Sequence, residues 1–177
     1  MFTEHKYQNE GGPGLAQAFA LLRSATRPSA PHILKLLDSV VFNVLIGNHD
    51  AHGKNFSLLY TEQGAVLAPM YDALSTAVYS ALTDKMAMKI GSKYKFSELF
   101  PRHWDTFAKE SGLTPAPVKK RILDIARRVP ALAQATQASL EAQGHGHPIL
   151  GAIVDLIAQR CALTTRRFAE PEVSEKI

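Results

Sequence analysis

Asp50, Lys54 and Asn55 fall close together in the run IGNHDAHGKN, residues 46–55. A carboxylate can orient and deprotonate an attacking hydroxyl. A carboxamide oxygen can hold Mg²⁺ on nucleotide phosphates, and a lysine can offset charge on a transferred group. Asp72, seventeen residues after Asn55, adds a second carboxylate. Asp-x-x-x-x-Asn is the spacing that protein kinases use for the base and one metal ligand. The same stretch admits other readings. His49, Asp50 and His52, with His32 and Asp72 nominated as further ligands, would suit a metal-dependent phosphohydrolase. Asn, Asp, His and Gly also favour turns for conformational reasons alone.

Chemistry of either kind needs rigid support, and the flanking sequence predicts it. Ile33, Leu36, Leu37, Val40, Val41, Val44 and Leu45 recur at helical spacing, with Pro31 in the first turn and Gly47 as the stop. The polar run therefore leaves the end of a buried helix. FSLLY, TEQG and AVLAPMYD then read as a β-hairpin, which would fold Asp72 back towards Asp50 and Asn55. Residues 85–91 alternate polar and apolar and predict another strand.

Elsewhere the chain reads as helical. A short helix is expected from Leu15 to about Ser24, ended by the prolines of TRPSAP. Further helices are expected over Pro101–Ser111, Pro115–Arg128, Pro130–Gln143 and Pro148–Phe168. Residues 1–14, ending in GGPG, read as a lead-in segment. Residues 15–168 form the domain, and 169–177 a frayed tail. GHGH at 144–147 reads as a linker despite its two histidines. His103 and Trp104 read as packing residues, and Cys161 as a core residue.

The composition suits one domain: 177 residues, 46% hydrophobic, 20% charged. One cysteine excludes an intrachain disulfide and suits a reducing compartment. The first residues do not follow a signal-peptide pattern, and the stretch Ile33–Gly47 is too short and polar to span a bilayer. A cytoplasmic protein without a membrane partner is the expectation. Lys85–Arg128 holds eleven Lys/Arg against four Asp/Glu, a basic stretch that could face an acidic partner or simply solvent.

KYQNEGGPG (6–14), FNVLIGNHDAHGKNFSLLY (42–60), LAPMYDALS (67–75) and FPRHW (100–104) together resemble the C-terminal part of the HipA-like serine/threonine kinase toxins. The resemblance spans essentially the whole chain. It implies a mainly α protein-kinase-like C-lobe with a small β-hairpin. It also implies Asp50 as catalytic base, Asn55 and Asp72 as Mg²⁺ ligands for ATP, and Lys54 or His52 near the γ-phosphate. Implied partners are a HipB-like DNA-binding antitoxin and a protein substrate, glutamyl-tRNA synthetase being the one linked to the family.

The pattern departs from the family at one point. The glycine-rich loop and strand lysine that grip the nucleotide have no counterpart here, and GGPG matches neither phosphate-binding pattern. The chain thus reads as a C-lobe without its N-lobe: a fragment, a truncated product, or half of a two-chain kinase. Little turnover is expected of it alone. The competing expectation is a non-catalytic partner-binding module.

Overall fold

A computed structural model describes residues 5–170. Its helices are α1 (Leu15–Ala25), α2 (Ala30–Ile46), α3 (Pro101–Glu110), α4 (Pro115–Ala142) and α5 (Pro148–Ala169). Strands β1 (Leu58–Thr61) and β2 (Gly64–Leu67) form one antiparallel hairpin. Strands β3 (Lys85–Ile90) and β4 (Lys93–Lys95) form a second. The fold is mostly helical, as expected, with one hairpin more than expected. β4 has only Lys-Tyr-Lys, too short for an alternating pattern to register.

Helix α2 carries the apolar stripe seen in the sequence, and packs against α1, α4, α5 and β2. Leu36, Val41 and Leu45 are fully enclosed. Phe19 of α1 and Trp104 of α3 each meet Phe107 edge to face, at centroid distances of 5.9 and 5.8 Å. His103 Nδ1 accepts from the Phe100 amide (2.9 Å), so His103 caps the start of α3.

One expectation fails. Pro130 does not divide two helices; α4 runs through it. An interior proline costs roughly 3 kcal/mol through its missing N–H and ring clash. Here Val118, Ile122, Ala126 and Val129 anchor the first half of α4 in the core, and α5 lies along the helix to hold the remainder. Tertiary packing overrides the local break. Helix α5 is long and apolar enough, by length and composition, to cross a membrane. Here it lies on α4 and α2, burying Ile157, Arg160 and Cys161. His147 Nδ1 accepts from the Ile149 amide (3.2 Å), giving one GHGH histidine a capping role. The tail expected over 169–177 lies outside the described residues from 171 onward.

Candidate active site

The site begins where α2 ends. Gly47 takes a left-handed conformation (φ +76°), and the Asn48 amide reaches back to Asn43 O at 2.9 Å. A Cβ at Gly47 would lie 2.7 Å from Ala77 Cβ and 2.9 Å from Leu156 Cδ2, so only glycine fits. The segment after Asp72 caps this helix end. Ser75 Oγ donates to Ile46 O (2.7 Å). Thr76 Oγ1 donates to Gly47 O (3.2 Å) and accepts from the His49 amide (2.8 Å). On the other side, the Ala87 amide of β3 donates to His49 O (2.8 Å).

Asn48 ties the parts together. Its Nδ2 donates to Asn43 Oδ1 and to Asp72 O, both at 3.0 Å, while its Oδ1 accepts from the Asp50 amide at 3.1 Å. The Asp50 carboxylate accepts from Tyr7 Oη (2.7 Å) and faces Lys6 Nζ (3.4 Å). A short 3-10 turn, Gly53–Asn55, follows. Asn55 Oδ1 accepts from the His52 amide (2.9 Å), and Asn55 Nδ2 donates to Asp72 Oδ2 (2.5 Å). Asp72 has φ +56°, the one positive φ outside glycine among the described residues. Aspartate tolerates this conformation better than most residues, and such strain clusters at functional sites. The hairpin therefore brings Asp72 onto Asn55, with Asp50 on the same loop.

Asn55 and Asp72 offer one carboxamide oxygen and one carboxylate. That set suits Mg²⁺, which commonly takes one or two carboxylates and completes its shell with water and substrate phosphates. It is too small for a resident all-protein metal site, and the described residues contain no group of three His, Cys, Asp or Glu able to hold an ion. The phosphohydrolase set does not assemble. His32 Nδ1 accepts from the Leu67 amide (3.4 Å) and His49 Nδ1 faces Thr83 O (3.0 Å), and neither ring joins a cluster of three ligands among the described residues.

The remaining loop residues take different places. His52 is buried with its ring edge-on to Tyr7, 5.9 Å between centroids. Burial pulls its imidazole below the ordinary range, partly opposed by the Asp50 charge, so it is held neutral at pH 7. His49 is lowered by burial too. Lys54 is exposed and lines a cavity of about 590 Å³. Gly11–Gly14, Leu22, Phe56, Leu58 and Met88 also face this cavity. The cation paired with Asp50 is Lys6. GGPG packs on the loop: a Cβ at Gly53 would sit 2.5 Å from Pro13 Cγ. Tyr71 Oη donates to Lys54 O (2.6 Å) and contacts Ser57 Oγ (2.6 Å), pinning the chain on both sides of Asn55.

Lys6, Tyr7, Asn43, Asn48, Ser75 and Thr76 were not singled out by spacing. Tyr7 and Lys6 lie in a polar segment with no periodicity, 43 and 44 residues from Asp50. Their signals are the family-like blocks that contain all of them but Thr76, and the placement of Asn48 directly after the helix-ending glycine.

Known proteins resemble this chain in sequence and in fold. "Putative kinase Y4mE" of Sinorhizobium fredii is 48% identical over 122 residues, 69% of this chain and 29% of the relative. The serine/threonine-protein kinase toxin HipA of Shewanella oneidensis is 30% identical over 119 residues, 67% of this chain and 27% of the relative. A HipA chain in the solved complex of Shewanella oneidensis HipA, HipB and operator DNA superposes with a TM-score of 0.75 at 25% identity. The match covers 92% of this chain and 39% of that one. The chain thus spans between about a quarter and two fifths of the length of these relatives. The HipA-like C-terminal domain family matches residues 1–133, through the loop, the hairpin and Asp72. This chain belongs to that family.

Proposed function

We propose that the chain forms the catalytic-loop half of a protein serine/threonine kinase of the HipA type. The observation that carries the reading is the Asn55–Asp72 contact at 2.5 Å, made across a hairpin and beside a loop that presents Asp50. Asp50 orients the substrate hydroxyl and takes its proton as the new O–P bond forms and the bond to the leaving ADP breaks. Tyr7 holds the Asp50 carboxylate in place, and Lys6 lies beside it as a cation for the transferred group. Asn55 and Asp72 hold Mg²⁺, which when bound offsets charge on the ATP phosphates. For both to hold the ion, the Asn55 side chain would turn, releasing Asp72 from its Nδ2 and the His52 amide from its Oδ1. The cavity beside Lys54 is of a size for a nucleoside.

Positioning accounts for most of the rate in phosphoryl transfer. The 177-residue chain by itself is therefore proposed to turn over little, with the nucleotide-gripping half coming from elsewhere in a longer protein or from a second chain. A HipB-like DNA-binding antitoxin and a protein substrate such as glutamyl-tRNA synthetase are the proposed partners, in the cytoplasm. A titration of the chain with Mg-ATP tests the reading. Measurable heat that disappears in Asp72→Ala supports it; no heat favours a partner-binding module instead. Robust phosphorylation by the chain alone would refute the proposed need for a second half.

A further inference from the structure

Helix α5 begins after residue 133, where the family match ends, yet it reaches the site. Its Arg160 is only 9% exposed. Nε donates to Val44 O at 3.0 Å, a carbonyl in the last turn of α2. The guanidinium carbon lies 3.7 Å from the Phe96 ring centroid and 3.8 Å from where Gly47 would carry a Cβ. A cation at a helix C-terminus meets the partial negative charge of the last carbonyls. An aromatic face adds to this when the cation is desolvated.

Arg160 has no ion pair with a carboxylate among the described residues, and burial pulls its guanidinium down to about 10, still charged at neutral pH. A buried unpaired charge is costly, and an apolar side chain would fill the same space at lower cost. The charge therefore calls for something to act on, and the neighbouring loop answers. His49 Nε2 and Arg160 Nη2 are both buried and without a partner, one able to accept and the other to donate. His49 Nδ1 faces Thr83 O and must carry the proton there. Arg160 and Asp84 are the charged groups that act on the His49 ring, with opposite signs.

We propose that Arg160 is a positioning residue for the Asp50 loop, clamping the last turn of α2 through its bond to Val44 O. Its bearing on phosphoryl transfer rests on the function proposed above; the clamp itself does not. NMR on the 177-residue chain tests it, with Arg160→Met and Arg160→Lys compared with the parent. In Arg160→Met, the His49 imidazole titrates at higher pH and the Asn48 amide exchanges at least tenfold faster, while α3 amides are unchanged. In Arg160→Lys the charge stays and the directed bond to Val44 O goes. The His49 titration is then retained while Asn48 exchange still accelerates. Unchanged His49 titration and unchanged Asn48 exchange in Arg160→Met overturn the proposal. Should Arg160→Met not fold, unchanged Asn48 exchange in Arg160→Lys overturns it. Absence of Mg-ATP binding by the parent chain counts against the kinase reading alone, since the clamp is read from exchange and titration.

Discussion

The two hairpins flank the same loop and are built from the same antiparallel pairing, but they are buried very differently. In β3–β4, Met86, Ala87, Met88 and Ile90 are enclosed, and the Ala87 amide braces His49 O. In β1–β2, Leu59 is half exposed and Tyr60 is 86% exposed. A lone two-stranded hairpin is marginal in water, so neither stands by itself. The first is wall: its side chains are part of the core that the loop rests on. The second is a clasp, whose main contribution is to return the chain so that Asp72 meets Asn55 at 2.5 Å. A site can thus borrow stability from one hairpin and geometry from the other.

The contrast can be broken from either side. Removing what the clasp delivers gives the largest effect. In a protein that contains this domain and phosphorylates substrate, Asp72→Asn or Asp50→Asn lowers turnover on the order of 10²–10⁴-fold, while the urea midpoint of the isolated domain moves little, because asparagine tolerates the positive φ at 72 and keeps an oxygen to accept from Asn55. Loss of turnover through unfolding would erase the distinction. Attacking the wall does the reverse. Met86→Ala or Ile90→Ala destabilises the domain by about 2–5 kcal/mol, read as a lower urea midpoint at constant slope.

Acid probes the wall more gently. Burial holds the His49 and His52 imidazoles below their ordinary value of 6.5. As pH falls through that value the unfolded chain takes up protons first, so stability is level above about pH 6.5 and declines below it. Urea midpoints at pH 7.5 and 5.5 measure the decline, and His49→Asn makes it shallower. The smallest effect belongs to the clasp's outer face. Tyr60→Ala changes stability by no more than about 0.5 kcal/mol, because its ring is almost wholly in solvent. A larger cost would mean that the clasp shares the core.

The same contrast explains what the sequence could reveal. The stripe on α2, its glycine stop and the hairpin ahead of Asp72 are all local patterns, and each is present in the fold. Asp50, Asn55 and Asp72 stood out because polar groups at the end of an apolar helix are conspicuous. The supports were silent for the opposite reason. Ser75 and Thr76 look like ordinary turn residues until their hydroxyls cap a helix some thirty positions earlier. Lys54 and His52 are conspicuous by their proximity to Asp50 in sequence, and Lys6, which pairs with it, is not, lying 44 residues away. Pro130 is a local break whose outcome is set by the helix lying beside it, which no local pattern shows.

The Arg160–Val44 bond spans 116 residues, and the Tyr7–Asp50 bond spans 43 in the other direction. Loop closure over such distances costs entropy before any contact rewards it. Synthesis proceeds from the N-terminus, so Tyr7, Asp50 and Asp72 all leave the ribosome long before Arg160 does. The loop that carries Asp50 thus completes its support only when α5 has been made.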